Sequence, residues 1–166
     1  MELMEAIKGR RSVRAYQPRP VEREKIERIL EAARLAPSAR NRQAWEFFVV
    51  QDEKKRKAIW QAANGAAFLE EAPVILVACG VDPAMMPCAQ RTDSVDLSIA
   101  MAFAILEAQE QGLGTCWMGA FDAKAVAEAL GLPENRNAVM ITPLGYPAEQ
   151  PAPRPRKELS EIVHWE

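Results

Sequence analysis

A chain of 166 residues, 49% hydrophobic and 27% charged with a formal net charge of −2, is long enough to bury one core and too apolar to remain disordered. The balanced charge excludes a polyanion held by counterion release, so nucleic acid is not an expected partner. No apolar run approaches the roughly 20 residues that cross a bilayer, and the N-terminus opens acidic, so the expectation is one domain over residues 1–166, cytoplasmic and without membrane contact.

Leu3, Met4 and Ile7 stand at helical spacing between Glu2 and Lys8, and Gly9 stops that helix. Residues 10–16 (RRSVRAY) then alternate basic or polar with apolar residues. In an extended conformation Arg10, Ser12 and Arg14 project to one side, either as a binding edge or as a solvated basic turn. After Pro18 and Pro20, Ile26, Ile29, Leu30 and Ala33 form the stripe of an amphipathic helix with Glu22 and Glu24 in its first turn. It feeds a polar loop, residues 36–45 (APSARNRQAW), and a strand over residues 47–51. Pro37 stops the helix, and Ser38 and Asn41 have short side chains suited to a turn or to a docked ligand.

Asp52 caps the next helix, which carries Ile59 and Trp60 and ends at Asn64-Gly65. A short helix through Phe68 and Leu69 leads to residues 73–79 (PVILVAC), a continuous apolar run that fits a strand covered on both faces. Residues 80–91 have no period and read as a loop. Residues 92–111 form a helix apolar on more than one face, suited to the axis of the core or to a subunit interface. A strand over residues 115–119 follows, then a helix capped by Asp122 and closed at Gly131, then a strand over residues 138–144. The tail holds Pro147, Pro151, Pro153 and Pro155, reads as extended, and ends in apolar residues that need burial. The class is α+β, with about four strands and five or six helices.

Three cysteines, Cys79, Cys88 and Cys116, lack CxxC spacing and fit reduced thiols, and one histidine without a Cys/His cluster excludes a zinc site, so no metal is expected. The arginines cluster in three segments, Arg10, Arg11 and Arg14, then Arg40 and Arg42, then Arg154 and Arg156, without acidic residues placed to neutralise them. If the three converge, their ligand is a small phosphate-bearing molecule, because guanidinium grips phosphate in bidentate fashion. Neither a GxxxxGK[ST] nor a GxGxxG motif is present to bind phosphate by a glycine-rich loop.

Residues 9–16 (GRRSVRAY), residues 36–47 (APSARNRQAWEF), and the ending that includes residues 144–147 (LGYP), 154–157 (RPRK) and 163–165 (VHW) together resemble the FMN-dependent nitroreductase family, in the right order over the whole chain. The resemblance implies a three-layer sandwich with a central, mostly antiparallel sheet flanked by helices, in a homodimer that exchanges its C-terminal tails and holds FMN at the interface. It implies that Arg10, Ser12, Arg154 and Arg156 hold the FMN phosphate and ribityl chain, that Arg14 sits by N1 and O2 of the isoalloxazine, and that Pro37, Ser38, Ala39 and Asn41 come from the partner. The Gly119 N–H would face N5 with Ala120 beside it, and Arg11, Asn64 and Met118 complete the cofactor-binding set. No side chain is expected to be catalytic, since hydride from NAD(P)H would enter at N5 and leave to a flat electrophilic acceptor, a nitroaromatic or a quinone, in a ping-pong cycle. A flavin-binding sensor or storage protein, or a branch acting on the flavin itself or on halogenated aromatics, are the alternatives. Three departures from the family pattern stand out: Asn64 replaces a second cation, Ala39 lacks a hydroxyl, and residues 117–119 (WMG) are bulkier and less acidic.

Overall fold

The computed structural model describes residues 2–166. A four-stranded antiparallel sheet in the order β1-β2-β4-β3 forms the middle layer, from β1 (Trp45–Val50), β2 (Val74–Val81), β3 (Gly114–Thr115) and β4 (Arg136–Gly145). The apolar run in β2 is buried along nearly its whole length, and its two-residue periodicity feeds two cores. Val74, Leu76 and Ala78 pack with α2 (Arg23–Arg34) and α5 (Thr92–Glu110) through Ile26, Ile29, Leu97 and Met101. Ile75, Val77 and Cys79 face Ile59, Leu69 and Val126, which belong to α3 (Glu53–Ala62), α4 (Ala67–Glu71) and α6 (Ala123–Leu130). Each fully buried Ile or Leu contributes about 1.5–3 kcal/mol relative to exposure, so the two cores together fix the three-layer sandwich. The remaining helix, α1 (Leu3–Gly9), lies along α5, with Gly9 against Gln109.

Local chemistry sets the helix ends. The Asp52 carboxylate accepts the Lys55 N–H at 2.9 Å, and that of Asp122 accepts from Lys124 and Ala125, in both cases satisfying orphan donors of the first turn. Gly131 closes α6 at φ 67°, a conformation that glycine adopts without steric cost.

Three sequence-based expectations change. The strand expected over residues 115–119 is reduced to Gly114–Thr115 by Pro143 of β4. The pairing Thr115↔Leu144 and the bridge Met118↔Ile141 share one register, so Cys116 lies opposite Pro143, which has no N–H to donate. The Thr142 hydroxyl donates to the Cys116 carbonyl at 3.0 Å in its place. Residues 82–91 are a hydrogen-bonded turn rather than a structureless loop: Met85 bridges Arg91, the Met86 N–H donates to the Gln90 carbonyl, and the Thr92 hydroxyl accepts from the Ala84 N–H. The helix α5 is not buried all round in the single chain. Leu97, Ala100, Met101, Ala104 and Ala108 face the core, whereas Phe103 is 42% exposed on the opposite side.

The N-terminal ribbon completes the fold. The Val13 N–H donates to the Thr115 carbonyl, the Gln17 N–H to the Tyr146 carbonyl, and the Ala148 N–H to the Ala15 carbonyl. This wedges residues 12–17 between β3 and the start of the tail. Val13 and Tyr16 are buried, and the Tyr16 hydroxyl donates to the Val13 carbonyl at 2.7 Å. The approach is close: a Cβ on Gly114 would stand 2.9 Å from Val13 Cβ.

Two stability outcomes follow from these contacts. Thr142→Val, isosteric but without the hydroxyl, is expected to cost about 1–3 kcal/mol in urea unfolding because it strands the buried Cys116 carbonyl. Gly114→Ala is expected to cost about 1–3 kcal/mol by overpacking against Val13, and an unchanged midpoint would show that the ribbon is not held at that distance.

Candidate functional site

The ribbon and the tail enclose a cavity of about 680 Å³ lined by Arg10, Arg11, Ser12, Arg14, Arg154 and Arg156, with Ile7, Lys8, Glu149 and the tail residues 151–153. Two of the three arginine segments therefore converge, and they do so because the tail pairs with the ribbon through Ala148 and Ala15 before it turns over the cavity. Glu149 is the one carboxylate in the lining. It accepts the Arg14 backbone N–H and extends the ribbon pairing by one bond after the backbone ladder ends. Its sequence signal was its isolation, an acid between Pro147 and Arg154 in a proline-rich stretch.

The guanidinium groups in the cavity are largely unspent. Arg11 donates to the carbonyls of Lys8 and Arg10, and Arg156 to that of Pro155. The guanidinium groups of Arg10, Arg14 and Arg154 make no hydrogen bond or ion pair with any other described residue. Elsewhere, Arg40 and Arg42 apart, the arginines are engaged: Arg19, Arg23, Arg28, Arg34, Arg91 and Arg136 pair with carboxylates, and Arg56 donates to the Ala72 carbonyl. An excess of cationic donors over one carboxylate fits a phosphate monoester, which offers several acceptors and a double negative charge.

Behind the lining lies Cys116, 3% exposed. Burial pushes its thiol up, against the opposing influence of Arg14, of a hydrogen bond from Ser12 and of Arg10. Burial raises the Tyr16 hydroxyl as well. Neither side chain is among the lining residues, and the cavity wall supplies positive charge and hydrogen-bond donors.

The remaining predicted positions lie elsewhere. Met118 is 8% exposed, packs in the core on the α3 and α6 side, and exchanges both backbone hydrogen bonds with Ile141; its side chain does not line the cavity. Gly119 and Ala120 are exposed, and their N–H groups donate to no backbone carbonyl. Trp117 is half-exposed, and its ring stands 3.6 Å from where a Cβ on Gly119 would be. The Asp122 N–H donates to the Ala62 carbonyl, which ties the end of α3, two residues before Asn64, to the segment that follows Ala120.

Pro37, Ser38, Ala39 and Asn41 do not line this chain's own cavity. They form a self-bonded loop: the Ser38 hydroxyl accepts the Gln43 N–H at 3.0 Å, and the Ser38 carbonyl accepts the Asn41 N–H. Arg40, Asn41 and Gln43 all have positive φ, strain of the kind found at binding sites. Both carboxylate oxygens of the buried Asp96 lie 3.1 Å from the Ala39 N–H and anchor the loop to α5. Asp96 was not singled out from the sequence, although a charge within the apolar run of that helix was a legible signal.

Among the described residues no helix is long and apolar enough to cross a membrane. The nitroreductase family model matches residues 7–73 and 63–146. A protein from Thermus thermophilus named NADH dehydrogenase is 35% identical over 188 aligned positions, covering 94% of this chain and 92% of its own. An FMN reductase (NAD(P)H) from Bacillus subtilis is 30% identical, covering 99% of this chain and 74% of its own. The crystal structure of a nitroreductase family protein from Clostridium difficile covers 100% of this chain and 99% of its own, with a TM-score of 0.90 at 32% identity. The arginine-lined cavity, the three layers and these matches agree: the chain belongs to the nitroreductase family.

Proposed function

We propose that this chain is a single-domain, NAD(P)H-dependent oxidoreductase that holds FMN in the arginine-lined cavity and works as a homodimer. Family membership supports the reaction class, and the Bacillus subtilis relative is named for the same cofactor and co-substrate. The observation that carries the cofactor reading is the set of cavity guanidinium groups, those of Arg10, Arg14 and Arg154, without partners among the described residues. Bound FMN would supply two-electron transfer from a nicotinamide to a flat electrophilic acceptor such as a nitroaromatic or a quinone.

Under this reading Arg10, Arg11, Ser12, Arg154 and Arg156 bind the phosphate and ribityl end. Arg14 opposes the negative charge that reduction adds to the ring system, a stabilisation that solvent screens to the extent that Arg14 is exposed in the single chain. Gly119 and Ala120 contribute unspent N–H groups, and glycine leaves the approach to its own N–H unobstructed.

Exposed apolar side chains support the homodimer. Leu3, Met4 and Ile7 on α1, Phe103 on α5, and Leu159, Ile162 and Trp165 in the tail are all more than 40% exposed in the single chain, Trp165 at 91%. A second copy would cover them. It would also receive the loop bearing Pro37, Ser38, Ala39 and Asn41 at its own cofactor, which accounts for the absence of these residues from their own chain's cavity.

The purified protein is expected to show the yellow flavin band and to lose it on anaerobic addition of NADH or NADPH. A colourless protein that takes up no FMN overturns the proposal, and a flavin that binds but is not bleached by either nicotinamide identifies the sensor or storage activity instead. Arg154→Ala is expected to weaken FMN binding by about 10- to 100-fold and to leave riboflavin, which lacks the phosphate, little changed; an equal loss for both ligands would remove Arg154 from the phosphate site.

A further inference from the structure

The third arginine segment stays outside the cavity, and its chemistry is unspent. Arg40 and Arg42 are exposed, and their guanidinium groups make no hydrogen bond or ion pair with any other described residue. Of the described arginines, only these two and the cavity's Arg10, Arg14 and Arg154 share that state; all others hold a carboxylate or a backbone carbonyl. In the cavity the unspent state marks an anion site. The loop that carries the second set is built rather than slack. Its backbone is bonded through Ser38, Asn41 and Gln43, anchored by Asp96, and held at φ 54° at Arg40 and 50° at Gln43. Two guanidinium groups, two residues apart on a preorganised turn and not paired with the Asp96 carboxylate that anchors it, are suited to a second phosphate.

We infer that Arg40 and Arg42 receive the 2′-phosphate of NADPH and give the enzyme a preference for NADPH over NADH. The inference rests on the proposed reading in which the loop bearing Ser38 and Asn41 walls the partner's cofactor. On that reading Arg40 and Arg42 sit at the rim of the site, beyond the atoms that touch the flavin. The 2′-phosphate belongs to the adenosine half of the dinucleotide, remote from the nicotinamide that must reach the flavin, so it also lies at the rim. It is a monoester and carries close to two charges at neutral pH, enough for both guanidinium groups, whereas NADH has only a hydroxyl at that position. Exposure limits the gain: each contact is screened by solvent and salt, so the pair is expected to discriminate by about tenfold rather than by several orders of magnitude.

The test uses the FMN-loaded enzyme and a fixed quinone acceptor, with kcat/KM measured for NADPH and for NADH in the wild type, in Arg40→Ala/Arg42→Ala and in Arg40→Lys/Arg42→Lys. The expected result is a wild-type ratio of NADPH to NADH of about tenfold that collapses towards unity in the alanine variant through a higher KM for NADPH. The lysine variant should retain part of the ratio, because charge persists without the bidentate fork. Adenosine 2′,5′-bisphosphate should inhibit the wild type more strongly than adenosine 5′-monophosphate, and the alanine variant should lose that difference. A ratio that does not change when both arginines are removed overturns the inference, as does an alanine variant that loses FMN or becomes monomeric, since the arginines would then serve the cofactor or the interface. Wild-type protein that binds no FMN overturns the parent reading instead, and the flavin spectrum taken before the kinetics separates the two failures.

Discussion

The constraint on which the site depends is the docking of residues 12–17 between β3 and the start of the tail. Three backbone bonds, from Val13 to Thr115, Gln17 to Tyr146 and Ala148 to Ala15, hold a short extended segment that meets the sheet only through single bridges. Buried Val13 and Tyr16 supply its apolar grip. Arg14 of the same segment, with Arg10 and Arg11 just before it, is thereby brought to the cavity wall, and the tail is led across to close it. Without this wedge, Arg10 and Arg14 on one side and Arg154 and Arg156 on the other would be separate surface charges, each screened by water. Held together around one space, they form a concentration of positive charge that the chain itself leaves unneutralised.

That arrangement tolerates its own repulsion through two devices. Glu149 places one carboxylate in the lining while serving as a backbone acceptor for Arg14, so a compensating charge is fixed without being paired to any one guanidinium. The cavity is also open to solvent along its tail side, where residues 152–157 are exposed, and water screens the cations until an anion displaces it. The interruption of β3 opposite Pro143 belongs to the same design. It frees the backbone after Cys116 from regular pairing, so that after the single bridge at Met118 the chain can leave the sheet at Gly119 and Ala120 with donors unspent.

Much of the fold was legible because its causes are local. Asp52 and Asp122 cap helices with their own side chains, Gly131 stops one, and the apolar run of β2 reads as a strand buried on both faces. The length of β3 was not legible from its own residues, since Thr115–Gly119 has strand-like composition and the missing donor sits on β4. The fate of the arginine segments was likewise non-local. Composition marked all three as unneutralised, but only the tail's pairing with Ala15 decides that residues 154–156 meet residues 10–14 while Arg40 and Arg42 do not. The Asp96 anchor needed only a closer look at one charge in an apolar helix. The latch made by Glu149 needed the register of the ribbon, which no local pattern encodes.

The tail joins cofactor retention to subunit association in the proposed dimer. Arg154 and Arg156 lie between the ribbon pairing at Ala148, which fixes one end of the tail, and the exposed apolar residues Leu159, Ile162 and Trp165, which leave its other end without cover in a single chain. Ordering a free segment costs about 1–2 kcal/mol per residue in backbone entropy, and Pro151, Pro153 and Pro155 reduce that cost by restricting the unbound chain. Burial of the apolar end on a second copy would meet the rest, and the same event would hold Arg154 and Arg156 over the phosphate position. Binding a phosphate would in turn order the tail and favour association. The two equilibria share one segment, so each strengthens the other by the same free energy, and the proline spacing, the two arginines and the apolar terminus are best understood as one device.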